Sequence, residues 1–172
     1  MPSDMKRTDY IGAFTVTAGE DIENLIEYYK CQNDNYNALL LQSLADRIAE
    51  AATELLHYRV RKNIWGYSPE EEANIESLLK EHYQGIRPAI GYPSLPDQSL
   101  AFDIDKLLGF NQIGVSLTEN GAMKPNSTVS GIMIAHPQAT YFHIGQIDSE
   151  QRAEYCKKRG FSVEESNKWL SV

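Results

Sequence analysis

Between Gln84 and Pro96 the chain carries three of its seven prolines and two glycines around a single arginine, Arg87. Prolines fix the backbone, Gly91 allows close approach, and Arg87 offers a planar fork that matches a carboxylate. Tyr92 adds an aromatic face suited to a cationic group. Such a loop can clamp a small molecule, although Pro and Gly also dominate ordinary turns. A second set of groups, Asp46, Glu50, Glu54, His57 and Arg61, recurs at three- and four-residue spacing and would line one side of a helix. Charge on a helix usually faces water, so a solvated face is the plain reading of this row. No GxSxG, HExxH, Walker A or GxGxxG sequence is present, and His57, His82, His136 and His143 lack metal-ligand spacing. Hydrolase, zinc and dinucleotide chemistry have no support. No catalytic residue and no metal site is expected.

The elements that must position these groups follow from local pattern. Tyr10 to Thr17 is β-branched and aromatic and stops at Ala18-Gly19, which predicts a strand. Glu20 to Gln32 favours helix. After the polar break at 33–35, about 30 residues run to Gly66 without Gly or Pro, which predicts a helix of roughly 45 Å as the spine of the domain. Its apolar residues Leu41, Leu44, Ile48, Ala51 and Leu55 step by three and four and predict the core face. Ser68-Pro69-Glu70-Glu71 predicts the start of a helix toward Tyr83. Asp97 is expected to cap another that ends near Gly109. Ile113 to Leu117, Thr128 to Ala135 and Tyr141 to Ile147 predict strands, the last two joined at His136-Pro137-Gln138 and paired antiparallel. Capping boxes at Asp148 and Gln151, and at Ser162 and Glu165, open two C-terminal helices separated by Gly160. The fold class is therefore α+β, an antiparallel twisted sheet packed with helices around one long central helix.

The chain has 172 residues, 42% hydrophobic, enough for a single domain over 1–172 behind a flexible leader at 1–8. Sixteen basic against twenty-four acidic residues leave a net charge of −8, which argues against nucleic-acid and membrane-surface partners. The two cysteines, Cys31 and Cys156, form no disulfide framework or CxxC site, and a reducing cytoplasm is the expected compartment. No signal peptide or membrane span is read from the sequence.

Several segments together are similar to one known module. The run Tyr83-Gln84-Gly85-Ile86-Arg87-Pro88-Ala89-Ile90-Gly91-Tyr92-Pro93 resembles the signature of the C-terminal reactivation module of cobalamin-dependent methionine synthase, which binds S-adenosylmethionine. The segments Asp9 to Gly19, Leu44 to Glu50, Leu56 to Lys62, Trp65 to Tyr67, Val129 to Gly131 and His136-Pro137 resemble that module in the same order, so the likeness spans nearly the whole chain.

The resemblance implies a task. The family's enzyme stalls when its corrin cobalt is oxidised. This module then docks over the cobalamin, an electron arrives from flavodoxin or an equivalent reductase, and S-adenosylmethionine supplies a methyl group. By resemblance Arg87 holds the methionyl carboxylate, while Pro88, Ala89, Gly91 and Tyr92 shape the loop around nucleoside and sulfonium. Glu81 contacts the ligand amine or orders Arg87. Tyr141 and Phe142 match the family's aromatic pair, with Tyr141 favoured as the contact because neighbours on a strand face opposite ways. Asp46, with Glu50 beside it, matches the acidic position that receives the histidine released from cobalt when the cobalamin-binding module docks. Cobalamin itself is expected on that partner and not on this chain. Ile90 departs from the family's second Pro, Gln98 from a His, and Lys124 and Asn126 from an aromatic and a Gly. The family's upstream segment, with an Asp that contacts the ligand amine, has no counterpart before Met1, so the expectation is a shortened subunit acting in trans. The other expectation kept open is a docking or assembly module for a corrinoid protein that no longer uses S-adenosylmethionine.

Overall fold

The computed structural model describes residues 8–72 and 74–170, so the leader expected at 1–8 lies outside the described residues apart from Thr8. The fold is α+β. Strand β1 (Gly12–Thr17) pairs antiparallel with the distant β4 (Thr128–Met133), in register from Gly12 opposite Met133 to Thr17 opposite Thr128. A second antiparallel ribbon joins β2 (Ser116–Leu117) to β3 (Met123–Lys124). Between them in sequence come α1 (Glu20–Cys31), α2 (Asn35–Arg59), α3 (Ile75–Leu79) and α4 (Leu100–Leu108), and the chain ends in α5 (Ser149–Arg159) and α6 (Val163–Trp169). The two C-terminal capping boxes close, with Asp148 accepting from Gln151 N–H and Ser162 from Glu165 N–H. Helix α4 contributes Ala101 and Ile104 to a core with Ile90, Phe110 and Val115.

Helix α2 forms as expected and winds on through a π-helical turn, Val60–Ile64. Its buried face is not the predicted one. Ala38, Ala45, Ala49, Thr53, His57 and Arg61 point inward, whereas Leu44, Ile48 and Leu55 are 53%, 44% and 50% exposed. Small side chains let a helix lie close to its neighbours, and α2 touches α1, β1 and β4. From Ala45 on, the inward row repeats every four residues, a step of about 400°, so it drifts around the helix by about 40° per step. A fixed stripe of leucines does not follow that drift.

Three other expectations are corrected. No helix starts at Ser68: the Glu71 carboxylate that would close its capping box accepts instead from Arg61, at 2.7 Å from Nε and 2.6 Å from Nη2. α3 begins only after Asn74, whose side chain accepts from Glu76 N–H. Ile113 belongs to a 3₁₀ turn, so the strand predicted from it shrinks to β2. Tyr141 to Ile147 is not a strand. The edge of β4 that it was to fill is taken by the Pro-rich loop. Ile86 bridges Ile134 and Ala89 bridges Gly131, Ile90 N–H donates to the Ser130 carbonyl, and Ile132 N–H donates to the Pro88 carbonyl.

Enlarging the true core face should cost far more than removing the false one. Ala45→Leu, at a fully buried position, is expected to lose about 1–3 kcal/mol by overpacking. Leu44→Gln should stay within about 1 kcal/mol of wild type. Urea denaturation of both variants checks the assignment, and equal losses would refute it.

Candidate functional site

Because the loop replaces a strand at the edge of β4, its backbone is fixed where its side chains must act. Gly131 makes this possible. A Cβ there would lie 2.2 Å from the Pro88 carbonyl oxygen and 2.9 Å from Ala89 Cα. At the far end Gly91 adopts φ 83°, a left-handed conformation that glycine takes without strain. Its N–H donates to the Leu95 carbonyl. Arg87 itself is pinned twice. Its backbone N–H donates to the Tyr141 hydroxyl at 3.0 Å, and its guanidinium donates through Nη2 to Oε2 of Glu54 on α2. Burial works against the Arg87 charge, but the hydrogen bond and the negative charge of Glu54 outweigh it and hold the group above its ordinary value.

A cavity of about 770 Å³ opens between α2, α3 and the loop, within the size range of small-molecule sites. Of the predicted residues it brings together Glu50, Glu81, Arg87, Pro88, Ala89, Tyr92 and Tyr141. Gly91, Phe142 and Asp46 are not among its lining residues. Tyr141 faces the cavity without the strand that was to orient it, while Phe142 is 57% exposed. Asp46 sits further up α2, where its Oδ1 accepts from the Ser127 hydroxyl at 2.7 Å and from Gln42 Nε2 at 2.9 Å. Glu50 pairs with Arg47 at 2.9 Å. Glu81 is exposed, takes φ 54° just past α3, and is not the carboxylate that orders Arg87. That partner is Glu54, which the loop signature does not reveal. Its only signal in the sequence is its place eight residues after Asp46 in the carboxylate row.

The lower part of that row is buried, not solvated. Arg61 is enclosed, paired with Glu71, and its guanidinium carbon lies 4.0 Å from the centroid of the Tyr83 ring. His57 meets the same ring edge-on at 5.3 Å and contacts the Tyr67 hydroxyl at 3.3 Å. Burial, and then the charges of Arg61 and Arg87, lower the His57 pKa from 6.5 to about 3, so the imidazole is neutral near pH 7. Tyr83 is four residues ahead of Arg87, and this column of polar side chains backs the start of the loop.

A family model described as "Vitamin B12 dependent methionine synthase, activation domain" matches residues 1–160. The chain is also similar to a solved structure, "Crystal Structure of the MetH Reactivation Domain bound to AdoHcy", at 43% sequence identity and a TM-score of 0.89. The alignment covers 95% of this chain and 52% of that one, so the chain spans about half the length of the solved relative. No described helix is long and apolar enough to cross a membrane.

Two outcomes follow from this geometry. Gly131→Ala should push the loop off β4 and destabilise the domain by on the order of 2 kcal/mol, as overpacking does; an unchanged urea midpoint would show that the loop tolerates a side chain there. Because the folded His57 pKa lies below the unfolded value, the unfolded chain alone binds that proton between about pH 6.5 and 3. His57 therefore contributes full stability above pH 6.5 and loses up to about 1.4 kcal/mol per pH unit below it. His57→Gln removes this dependence, so the stability gap between wild type and variant should narrow as pH falls from 7 to 4. A constant gap would mean that His57 titrates normally.

Proposed function

The chain belongs to the family of vitamin B12 dependent methionine synthase activation domains, and from that premise we propose that it binds S-adenosylmethionine and presents the methyl group to a cobalamin carried by a partner module. The observation that carries this reading is the charge of the cavity. Arg47 and Arg87 line it together with Glu50, Glu54 and Glu81, two cations and three anions. A ligand with one carboxylate, one ammonium and one sulfonium has the opposite net charge and a group for each sign. The solved relative bound to AdoHcy supports the same class of small molecule.

When bound, S-adenosylmethionine supplies a methyl group activated by its sulfonium. The chain's contribution is position and not acid–base chemistry. Arg87 holds the carboxylate, Pro88, Ala89 and Gly91 give the loop its shape, and Tyr92 and Tyr141 offer aromatic faces beside it. Phe142 is exposed beside Tyr141, and Glu81 lines the cavity just past α3. Asp46 and Glu50, exposed on α2, face the cobalamin-binding module, with Asp46 receiving the histidine released from cobalt. The electron that restores the cobalt comes from flavodoxin or an equivalent reductase. The apolar residues Leu44, Ile48 and Leu55 lie on the same helix, giving a docking face both charged and greasy spots. A module that only assembled with a corrinoid protein would not need the cavity charges, and that alternative is not favoured.

Calorimetry with S-adenosylmethionine tests the reading. Arg87→Ala should weaken binding by about 1.5–3 kcal/mol, roughly ten- to a hundredfold, through loss of a charge-assisted contact. Absence of binding to wild type, or equal affinity of wild type and variant, would overturn it.

A further inference from the structure

Toward the start of α2 three side chains close a triangle of hydrogen bonds. Gln42 Nε2 donates to Asp46 Oδ1 at 2.9 Å and to the Ser127 hydroxyl at 2.9 Å, and that hydroxyl donates to the same Asp46 oxygen at 2.7 Å. Asp46 is exposed, whereas Ser127 is buried just ahead of β4. The Ser127 carbonyl accepts from Ala18 N–H at 2.9 Å, which carries the β1–β4 ladder one step further and ties the hydroxyl to the sheet. Oδ2 of Asp46 makes no hydrogen bond among the described residues. An exposed side chain samples several rotamers and loses that freedom when it is bound. Two donors on one oxygen meet most of that cost in advance and leave the other oxygen to accept. Both donors are neutral, so the carboxylate keeps its full charge. Glu50, one turn further on, differs: the Arg47 guanidinium meets its Oε2 at 2.9 Å, and the cation offsets its charge.

We propose that Ser127 and Gln42 are positioning residues that act through Asp46, holding its Oδ1 so that Oδ2 is a preoriented acceptor for an N–H donor of the docking partner. The proposal rests on the reading that Asp46 receives the histidine released from cobalt, and it names the groups that ready Asp46 for it. Gln42 and Asp46 lie one turn apart on α2, but Ser127 comes from 81 positions away, so the sheet and the helix together set the direction of the carboxylate. Packing does not call for this arrangement, because the buried Ala45 and Ala49 already let α2 lie against its neighbours. Groups behind a binding side chain that lock its rotamer in this way lower the cost of binding without touching the partner.

The test titrates the cobalamin-binding module of a vitamin B12 dependent methionine synthase with this protein and reads, from visible absorption at saturation, the ratio of histidine-released to histidine-bound cobalt. Ser127→Ala should lower that ratio about three- to tenfold, the worth of ordering one side chain, and Gln42→Leu should act in the same direction. In an Asp46→Ala background Ser127→Ala should move the ratio by less than about twofold, because the group it orients is gone. A shift by the same factor in both backgrounds would make Ser127 a plain tether of α2 to the sheet and overturn the proposal. An unchanged ratio in Ser127→Ala and Gln42→Leu, while Asp46→Ala lowers it, overturns the proposal and leaves the receiving role of Asp46 standing. An unchanged ratio in Asp46→Ala, or no spectral shift with wild type, would sink that role and the proposal together. In the isolated protein, three-bond couplings about the Asp46 Cα–Cβ bond should report one rotamer in wild type and several in Ser127→Ala, and averaging in wild type also overturns it. Should Ser127→Ala fail to fold, Gln42→Leu and the wild-type couplings decide.

Discussion

The Pro88 carbonyl lies so close to Gly131 that no side chain fits between loop and strand. Most of the site hangs on that approach. A proline-rich segment lacks the N–H groups to complete a regular ladder, yet this one supplies the Ile90 N–H to the Ser130 carbonyl and accepts from Ile132 N–H. The contact spares the strand edge an unpaired, aggregation-prone face. It also fixes Arg87 at a height set by the sheet and not by loop flexibility. Arg87 then needs only two further bonds, to Tyr141 and to Glu54, to have a defined direction.

Behind the loop, α2 spends its inward row in an unusual way. Alanines occupy the upper positions, where the helix lies against β1 and β4, and Thr53, His57 and Arg61 occupy the lower ones. Replacing such polar groups with apolar ones of equal volume is often neutral or stabilising, so packing alone does not account for them. Their arrangement does. Arg61 stacks on Tyr83 and pairs with Glu71, while His57 abuts the same ring. One aromatic side chain is thereby held by groups from α2 and from the turn after it, four residues ahead of Arg87. A neutral His57 between two guanidinium groups adds no further positive charge to that crowd.

How much of this was legible in the sequence varies with the range of the interaction. The capping boxes at Asp148 and Ser162, the left-handed Gly109 after α4 and the start of α1 after Gly19 depend on neighbours within four residues, and the sequence reading agrees with the structure at each. The Ser68 box depends equally on local residues but loses Glu71 to Arg61, ten positions away. Tyr141 to Ile147 has a strand's composition, yet its place on β4 belongs to a segment some fifty residues earlier. The core face of α2 misled because leucines are ordinarily buried, whereas this helix needs small residues where it meets the ribbon. Among candidate site residues the loop was legible because its residue types are rare together. Glu54 was visible only as one more charge in a row, since its partner is 33 positions away.

That difference also follows the burial of charge along one helix. Asp46, Glu50 and Glu54 each follow the inward Ala45, Ala49 and Thr53 by one residue, whereas the three-residue step from Glu54 to His57 turns the row back onto the inward face, where His57 and Arg61 are enclosed. Position along the row thus sets dielectric surroundings, and with them what each charge can do. Asp46 and Glu50 are exposed and keep most of their hydration. Glu54 is half-buried against Arg87. Arg61 is so enclosed that its ion pair to Glu71 is structural. The row therefore passes from exposed through half-buried to enclosed charge, and the loop supplies its arginine at the half-buried step.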